Sequence, residues 1–419
     1  MIRPESKPDI EELQRRILRT LSGPALSPEA VIAACDALSG KLDEAELLPT
    51  LTALGMPQAR ARRELETARQ TLSRGYLEER LSRELGTLPT GRFKPYGTER
   101  RVRQEWKPLG VLLHVAAGNA DALPAYSVLE GLLTGNINVL KLPGGGDVLS
   151  VMLLQELAAL EPAIADYVYI TGCPSEDTDT MKTLAAVADA VVVWGGDAAV
   201  SAVRALAPPN VRIVEWGHKL SFAYVTAGGA ADEALAGVAY NLCDTEQRLC
   251  TSCQGLFVDG NYADAVKLAE RFAHLLEAQS GAMPAGEDIR AAARRTLELY
   301  TEALEAVANG KSVFRGKGCG VIASADSRLE LSYMNRVCWV KPLPRARLLE
   351  ELTPHKSRLH TAALLCADTE RAPLESLLFR AGIVRVTDGK SMSEGYCGMP
   401  HDGEFSLRRY AKITSCEYE

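Results

Sequence analysis

The stretch Tyr240–Val258 reads YNLCDTEQRLCTSCQGLFV and holds Cys243, Cys250 and Cys253. Cys250 follows the polar run Thr245-Glu246-Gln247-Arg248 and precedes the apolar run Gly255-Leu256-Phe257-Val258. That order predicts a thiol at the mouth of a turn that leads into rigid structure. Covalent catalysis needs both access and rigidity. A thiolate is a good nucleophile near neutral pH, and backbone N–H groups or nearby cations increase its fraction. Taken alone, such a cysteine is more often a small core residue. Cys250 and Cys253 also form a CxxC. The redox reading of that motif needs a thioredoxin-like context, which is absent, and a metal site needs further ligands. No second CxxC and no HExxH occurs in the chain, so no metal is expected. Cys253 is expected to be packed, as are Cys35, Cys173, Cys319, Cys338, Cys366, Cys397 and Cys416.

A nucleophile needs elements to hold it. The chain has 419 residues, 47% hydrophobic and 24% charged, with a net charge of −7. This is an ordinary globular composition, large enough for two or more domains. The charge leaves no basic footprint for nucleic acid. No apolar run is long enough to span a membrane. The opening residues MIRPESKPDIEELQRR lack the apolar core of a signal peptide. The ten cysteines then read as reduced thiols in the cytoplasm.

The chain begins with helices. Ile10, Leu13, Ile17, Leu18 and Leu21 fall on one helical face. Ser27-Pro28 is a cap and first position for a second helix, and a longer helix is predicted from Pro57 to about Leu85. Gly86 to Gly97 is a connection. Short apolar runs then alternate with helical patterns. Strands are expected at Gly110–Val115, Asn138–Leu142, Tyr167–Ile170, Ala190–Trp194 and Val211–Glu215. Between them lie helices at Leu123–Leu133, Val148–Leu160 and Met181–Ala188. Alternation of this kind implies a doubly wound α/β fold with a mostly parallel sheet, which binds ligands at the carboxyl ends of its strands. Gly144-Gly145-Gly146-Asp147 lies between a strand and a helix. It is the context of a phosphate cradle but neither GxGxxG nor Walker A, so a tight turn is an equal reading. Lys141 ends a buried strand, where an ammonium needs a partner or access to solvent. The remainder reads as a second α/β domain, with helices at Tyr262–Gln279 and Ile289–Val307 and an edge strand in Arg408–Ile413.

Several runs carry a resemblance when read together. Lys107-Pro108-Leu109-Gly110-Val111, Ala117-Gly118-Asn119 and Gly135-Asn136-Ile137-Asn138-Val139-Leu140-Lys141 are similar to elements of the aldehyde dehydrogenase superfamily in the same order. Val214-Glu215-Trp216-Gly217-His218-Lys219 resembles its Glu-x-Gly-Gly-Lys element. Glu246-Gln247-Arg248-Leu249-Cys250 resembles its Gly-Gln-x-Cys nucleophile turn. The run from His114 to Ser127, with His401-Asp402-Gly403, resembles the acyl-CoA reductase (LuxC-type) branch. His218 and Glu246 stand where glycine is usual, and Leu249 adds bulk beside the thiol.

The resemblance implies an acyl-CoA or other acyl-thioester reductase that forms an aldehyde. Cys250 is then the nucleophile and Asn119 an oxyanion donor. Glu215 is a base or proton relay; read without the family, it is a strand-end carboxylate paired with Lys219. The cofactor contacts expected are Lys141, Gly144, Gly195 and Gly196. Gly144 occupies a position that is commonly acidic in NAD-preferring relatives, so NADPH is the expected cofactor, with NADH as the alternative. The implied organisation is a helical segment (1–88), a cofactor-binding domain (89–225), a cysteine domain (226–397) and a tail (398–419) whose strand joins subunits into a homodimer or larger assembly. Other readings are an acyl-phosphate reductase of the gamma-glutamyl phosphate reductase type, a cysteine acyltransferase or thioesterase without nicotinamide, and a non-catalytic relative.

Overall fold

The computed structural model describes residues 2–6, 8–53, 56, 58–88, 90–93, 100–116, 122–144, 146–284 and 289–418. The chain divides into two compact units: Met1–Gly217 with Tyr396–Glu419, and His218–Gly395.

The strands of the first unit are β1 (Pro4–Glu5), β2 (Thr90–Phe93), β3 (Arg100–Pro108), β4 (Val111–Val115), β5 (Ile137–Lys141), β6 (Val168–Thr171), β7 (Ala190–Trp194) and β8 (Arg212–Trp216), followed much later by Ala411–Tyr418. Six of them form one sheet in the order β1-β6-β5-β4-β7-β8. Every pair in it is parallel. Strands of such a sheet are covered on both faces, which is why β4 to β7 read as continuous apolar runs. After β1, which pairs with β6 at one edge, the chain lays down β4 in the middle, adds β5 and β6 on one side, then returns to add β7 and β8 on the other. The reversal lies between β4 and β7, where a doubly wound sheet opens a crevice at its carboxyl edge. β1 is too short to carry any alternation, so the sequence holds no signal for it.

The helices Ile10–Ser22, Pro28–Lys41 and Arg74–Glu84 share a core with β4–β6, Leu48, Leu51, Ala61 and Leu65 form a small cluster beside it, and all of them belong to the first unit. In Ile10–Ser22 only Leu13 and Ile17 are buried, while Leu18 and Leu21 are 63% and 57% exposed, so the contact face is narrower than the apolar stripe. The long helix expected from Pro57 is two, Gln58–Leu72 and Arg74–Glu84, separated by an extended Ser73. The Ser73 hydroxyl donates to the Gln70 carbonyl at 2.7 Å, the local competition by which serine ends helices.

The second unit carries β9 (Leu220–Val225), β10 (Cys253–Val258), β11 (Ser312–Gly316), β12 (Cys319–Ala323), β13 (Val337–Pro342), β14 (Leu359–Leu365) and β15 (Arg385–Thr387). Their order is β11-β12-β13-β10-β9-β14-β15, and all pairs are parallel except β11–β12. β9 therefore sits inside this sheet, between β10 and β14. That moves the boundary from the expected residue 225 to Gly217, because a strand belongs with the neighbours to which it is hydrogen-bonded. The tail strand Ala411–Tyr418 runs antiparallel to β3 at the edge of a three-stranded sheet, longer and later than the edge strand expected. Cys416 on it is exposed rather than packed, and Cys366 and Cys397 are only partly buried. No helix among the described residues is long and apolar enough to cross a membrane.

One polar network pins the first sheet from inside. The fully buried His114 on β4 accepts at Nδ1 from the Ser127 hydroxyl (2.7 Å) and donates from Nε2 to Asn138 Oδ1 on β5 (2.9 Å). Ser127 in turn accepts from Trp194 Nε1 on β7 at 3.0 Å. Burial pushes the imidazole down from 6.5 to about 4. The unfolded ring gains its proton as the pH falls through 6.5, while the folded one resists until about 4. This contribution to stability is therefore complete above pH 6.5 and lost on the way down to about pH 4, at up to roughly 1.4 kcal/mol per pH unit. Denaturant titrations across that window should show the loss in the wild type and a flatter dependence in His114→Asn. Equal slopes would assign the acid sensitivity to other groups.

Candidate active site

In the first unit, strand register draws the expected cofactor residues to one edge. Thr171, Lys141, Val115, Val193 and Glu215 form a single row across β6, β5, β4, β7 and β8. Three strand spacings, about 14 Å in all, separate Lys141 from Glu215. Asn119, a few residues beyond β4, lies outside the described residues, as does Gly145.

Lys141 is 3% exposed, and its ammonium donates to the Ser175 hydroxyl at 2.7 Å. Among the described residues this neutral oxygen is the acceptor the structure supplies, for a group with three donors. A cation buried so deeply is costly without further acceptors, and ribose hydroxyls or a phosphate are acceptors of the right kind. Gly144 is exposed, and a Cβ built on it meets nothing within 4 Å. Gly146 has φ +73° and closes the turn by donating to the Pro143 carbonyl at 2.8 Å. Asp147 caps the helix Val148–Leu160 as expected, its Oδ1 accepting from Ser150 N. Gly196 starts the helix Asp197–Leu206 without a capping side chain. A Cβ on Gly195 would lie 3.0 Å from that of Ala199, whereas Gly196 faces open space. Lys141, Gly144, Gly195, Gly196 and Glu215 thus share one edge of one sheet.

Glu215 is half-buried and pairs with Arg204 on the helix Asp197–Leu206, a partner the sequence did not suggest. The Arg204 side chain is 62% exposed, and an ion pair that open to water contributes little. The Lys219 ammonium donates to the Ser357 carbonyl at 2.9 Å.

The tail brings a residue to this edge whose placement the sequence did not show. The His401 ring packs against Trp194 (5.3 Å between centroids) and Trp216 (4.8 Å), the neighbours in sequence of Gly195 and Glu215. It is carried by a tight turn with Asp402 at φ +51° and Gly403 at φ +82°, closed by reciprocal bonds between the His401 and Glu404 backbones. Asp-Gly is the signature of that turn, so the turn was legible in the sequence and its destination was not.

In the second unit, Cys250 is partly exposed in a turn at the amino end of β10. The rule that places ligands at carboxyl ends therefore does not locate this residue. Its carbonyl accepts from the buried Ser221 hydroxyl on β9 at 2.7 Å. Leu249 N donates to Ser252 Oγ and Ser252 N to the Leu249 carbonyl, both at 3.0 Å, so the turn is tied to itself. Leu249 is 39% exposed. Gln247, which the sequence placed in the turn without a role, is 2% exposed. Its Nε2 donates to Ser332 Oγ (2.8 Å) and to the Val337 and Cys253 carbonyls (3.2 and 3.3 Å). Its Oε1 accepts from Arg336 N at 3.0 Å.

Cys253 differs sharply from Cys250. It is fully buried, its Sγ lies 3.2 Å from the Gly255 carbonyl, and burial pushes the thiol up to about 12. The same effect raises Cys243, Cys319 and Cys338. These thiols stay protonated at neutral pH and are inert packing. Among the described residues, no cluster of three or more His, Cys, Asp or Glu is placed to hold a metal ion.

Comparison with known proteins agrees with this architecture. The family model for acyl-CoA reductase (LuxC) matches residues 27–413. A long-chain acyl-protein thioester reductase of Vibrio harveyi is 28% identical over 164 residues, 38% of this chain and 34% of that protein. The Aliivibrio fischeri protein of the same name is 23% identical over 323 residues, 74% of this chain and 64% of that one. The matches thus span between one third and two thirds of these relatives. Among solved structures, glyceraldehyde-3-phosphate dehydrogenase of Methanocaldococcus jannaschii, complexed with NADP, superposes with a TM-score of 0.72 at 14% identity, covering 100% of this chain and 95% of that one. At that identity the likeness speaks for the fold alone, which is that of the aldehyde dehydrogenases; the chain begins with helices. The chain is a member of the acyl-CoA reductase (LuxC) family.

Proposed function

We propose that this protein reduces an acyl thioester to an aldehyde through an acyl-enzyme on Cys250. The observation that carries this reading is the contrast within one turn. Cys250 is partly exposed and its backbone is tied down, whereas Cys253, three residues on, is a buried thiol, as are Cys243, Cys319 and Cys338 elsewhere in the unit. The relatives' names specify an acyl-protein thioester; the chemistry is the same for a CoA thioester.

In the proposed sequence, Cys250 Sγ bonds to the acyl carbonyl carbon. The bond from that carbon to the carrier sulfur breaks, and the carrier leaves as a thiol after gaining a proton. The family resemblance assigns stabilisation of the intermediate oxyanion to the Asn119 carboxamide and the Cys250 N–H, each an effect of about 3–4 kcal/mol in such sites. When bound, a reduced nicotinamide supplies the hydride that turns the acyl-enzyme into a thiohemiacetal, which releases aldehyde and returns the thiol. Glu215 is the carboxylate proposed to accept or relay protons. Its exposed Arg204 partner holds it loosely, which suits a group that must exchange protons.

The carboxyl edge of the first sheet fits the cofactor. The under-satisfied ammonium of Lys141 would hold the adenosine ribose, and the Gly195-Gly196 turn leaves room for a close approach of the cofactor to the backbone. Gly144 offers no carboxylate against a 2′-phosphate, so NADPH is the proposed donor. The tail strand, with Ile413 and Tyr418 about half exposed at 49% and 51% on a sheet edge, supports a homodimer or larger assembly. The ten free cysteines fit the reducing cytoplasm.

NADPH oxidation measured against a panel of acyl-CoA and acyl-protein thioesters, with the aldehyde trapped, tests the reading. One aldehyde per NADPH is expected. Free acid released without NADPH consumption would identify a thioesterase instead, and turnover of acyl phosphates alone would identify the other reductase type. The cofactor choice has its own test. Gly144→Glu finds open space for its side chain and adds a repulsive charge against a 2′-phosphate, so the ratio of NADPH to NADH efficiency should fall by roughly tenfold or more. A wild type that strongly prefers NADH would place the determinant elsewhere.

A further inference from the structure

Seven non-glycine residues among those described have a positive φ, and five of them lie in two runs beside the Cys250 turn. Glu246 (φ +48°) and Gln247 (φ +62°) form the first run; Met334 (φ +61°), Asn335 (φ +50°) and Arg336 (φ +69°) form the second. L-residues resist this conformation, and it persists only where surrounding contacts impose it. The two runs impose it on each other. Asn335 N donates to the Glu246 carbonyl at 3.3 Å, and Arg336 N to Gln247 Oε1 at 3.0 Å. Arg336 Nη2 donates to Glu246 Oε1 at 3.2 Å.

The Arg336 side chain is 4% exposed. Its remaining bonds go to helix ends. Nη1 donates to the Met283 carbonyl (2.6 Å), the Ser280 hydroxyl (2.9 Å) and the Ser280 carbonyl (3.4 Å), where the helix Tyr262–Ala282 stops. Nη2 also donates to the Cys243 carbonyl (3.3 Å), in the last turn of Asp232–Thr245, the helix that delivers the nucleophile turn. Last-turn carbonyls lack intrahelical donors and carry the negative end of the helix dipole, so a buried guanidinium suits them. Glu246 adds the carboxylate that balances its charge.

Glycine is the residue usual at position 246 in the nucleophile turn that this chain resembles, and the left-handed backbone at Glu246 shows what glycine would supply there without strain. We infer that the Glu246–Arg336 pair replaces that glycine: the ion pair holds in place a turn that glycine would form freely, which makes Arg336 a positioning residue for the Cys250 thiol. This rests on the reading of Cys250 as the nucleophile.

The two roles open to Glu246 separate by substitution. Glu246→Ala keeps the strain and removes the ion pair, whereas Glu246→Gly removes both. If the pair acts on turn shape, Glu246→Ala should lower kcat for thioester reduction by roughly tenfold to a hundredfold with KM little changed, and Glu246→Gly should recover most of that loss. Carbamidomethylation of Cys250, followed by peptide mapping across pH, should show the same order without reference to turnover: the rate profile is displaced in the alanine variant and returns toward wild type in the glycine variant. Arg336→Lys, which keeps the charge but not the forked contacts, should behave as Glu246→Ala. If it fails to fold, the variants at Glu246, whose side chain is 23% exposed, carry the test. Equal impairment of the glycine and alanine variants would overturn the proposal, because it would mean that Glu246 acts through its charge alone. Unchanged kcat and unchanged Cys250 alkylation in Glu246→Ala would overturn it too. An acyl label found on a residue other than Cys250 in the wild type would instead refute the underlying reading, a result that the alkylation comparison does not depend on.

Discussion

The backbone before β10 is left-handed at Glu246 and Gln247, and the path of the turn that carries Cys250 depends on its being kept so. The buried Gln247 carboxamide is the tie. It bonds to the backbones of β10 and β13 and to Ser332, whose hydroxyl also donates to Gln254 Oε1 on β10 at 2.9 Å. Buried polar groups of this kind rigidify when every member is satisfied and destabilise when one is lost. A turn built this way cannot relax locally, because each carbonyl or amide released would be left without a partner in the core. The thiol three residues later follows that fixed backbone and is itself partly exposed.

The two sheets solve different problems with the same parallel architecture. In the first unit, chain reversal between β4 and β7 leaves the carboxyl edge free, and register places Lys141 and Glu215 in one row at that edge. The proposed cofactor contacts need only strand ends and the glycine turns that follow them. In the second unit, the proposed nucleophile Cys250 lies at the opposite end of a strand, after a helix and before β10. No dipole or crevice common to parallel sheets prepares that end, so side chains must do it, and the buried polar network is concentrated there.

Much of this was legible in the sequence, for reasons that differ by element. Ala190–Trp194 and Val148–Leu160 have the bounds that their apolar runs and capping residues predict. Cys253 could be read as packing because its CxxC lacks a redox or metal context, and Lys141 stood out as a charge at the end of a buried strand. The split near Ser73 escaped notice because serine, arginine and glycine interrupt a helix by local hydrogen bonding rather than by a proline. The domain boundary was misplaced because β9 carries no mark of which sheet it will join. Arg204 and Arg336 were beyond reach for a simpler reason: each meets its glutamate only through the tertiary fold, and Arg336 lies 90 residues from Glu246. Glu246 itself appeared in the sequence only as a departure from glycine. The positive φ gives that departure its physical meaning.

The species on which the proposed chemistry turns is the acyl-enzyme, and mixing the wild-type protein with an equimolar acyl thioester, without cofactor, isolates it. Intact mass followed by peptide mapping should show one acyl group, on Cys250, absent from Cys250→Ala and retained in Cys253→Ala. Addition of NADPH should then discharge that group as aldehyde in a single turnover. An acyl group that maps to Cys253 or another residue, or one that leaves as free acid whether or not NADPH is present, would contradict a Cys250 thioester as the reduced intermediate.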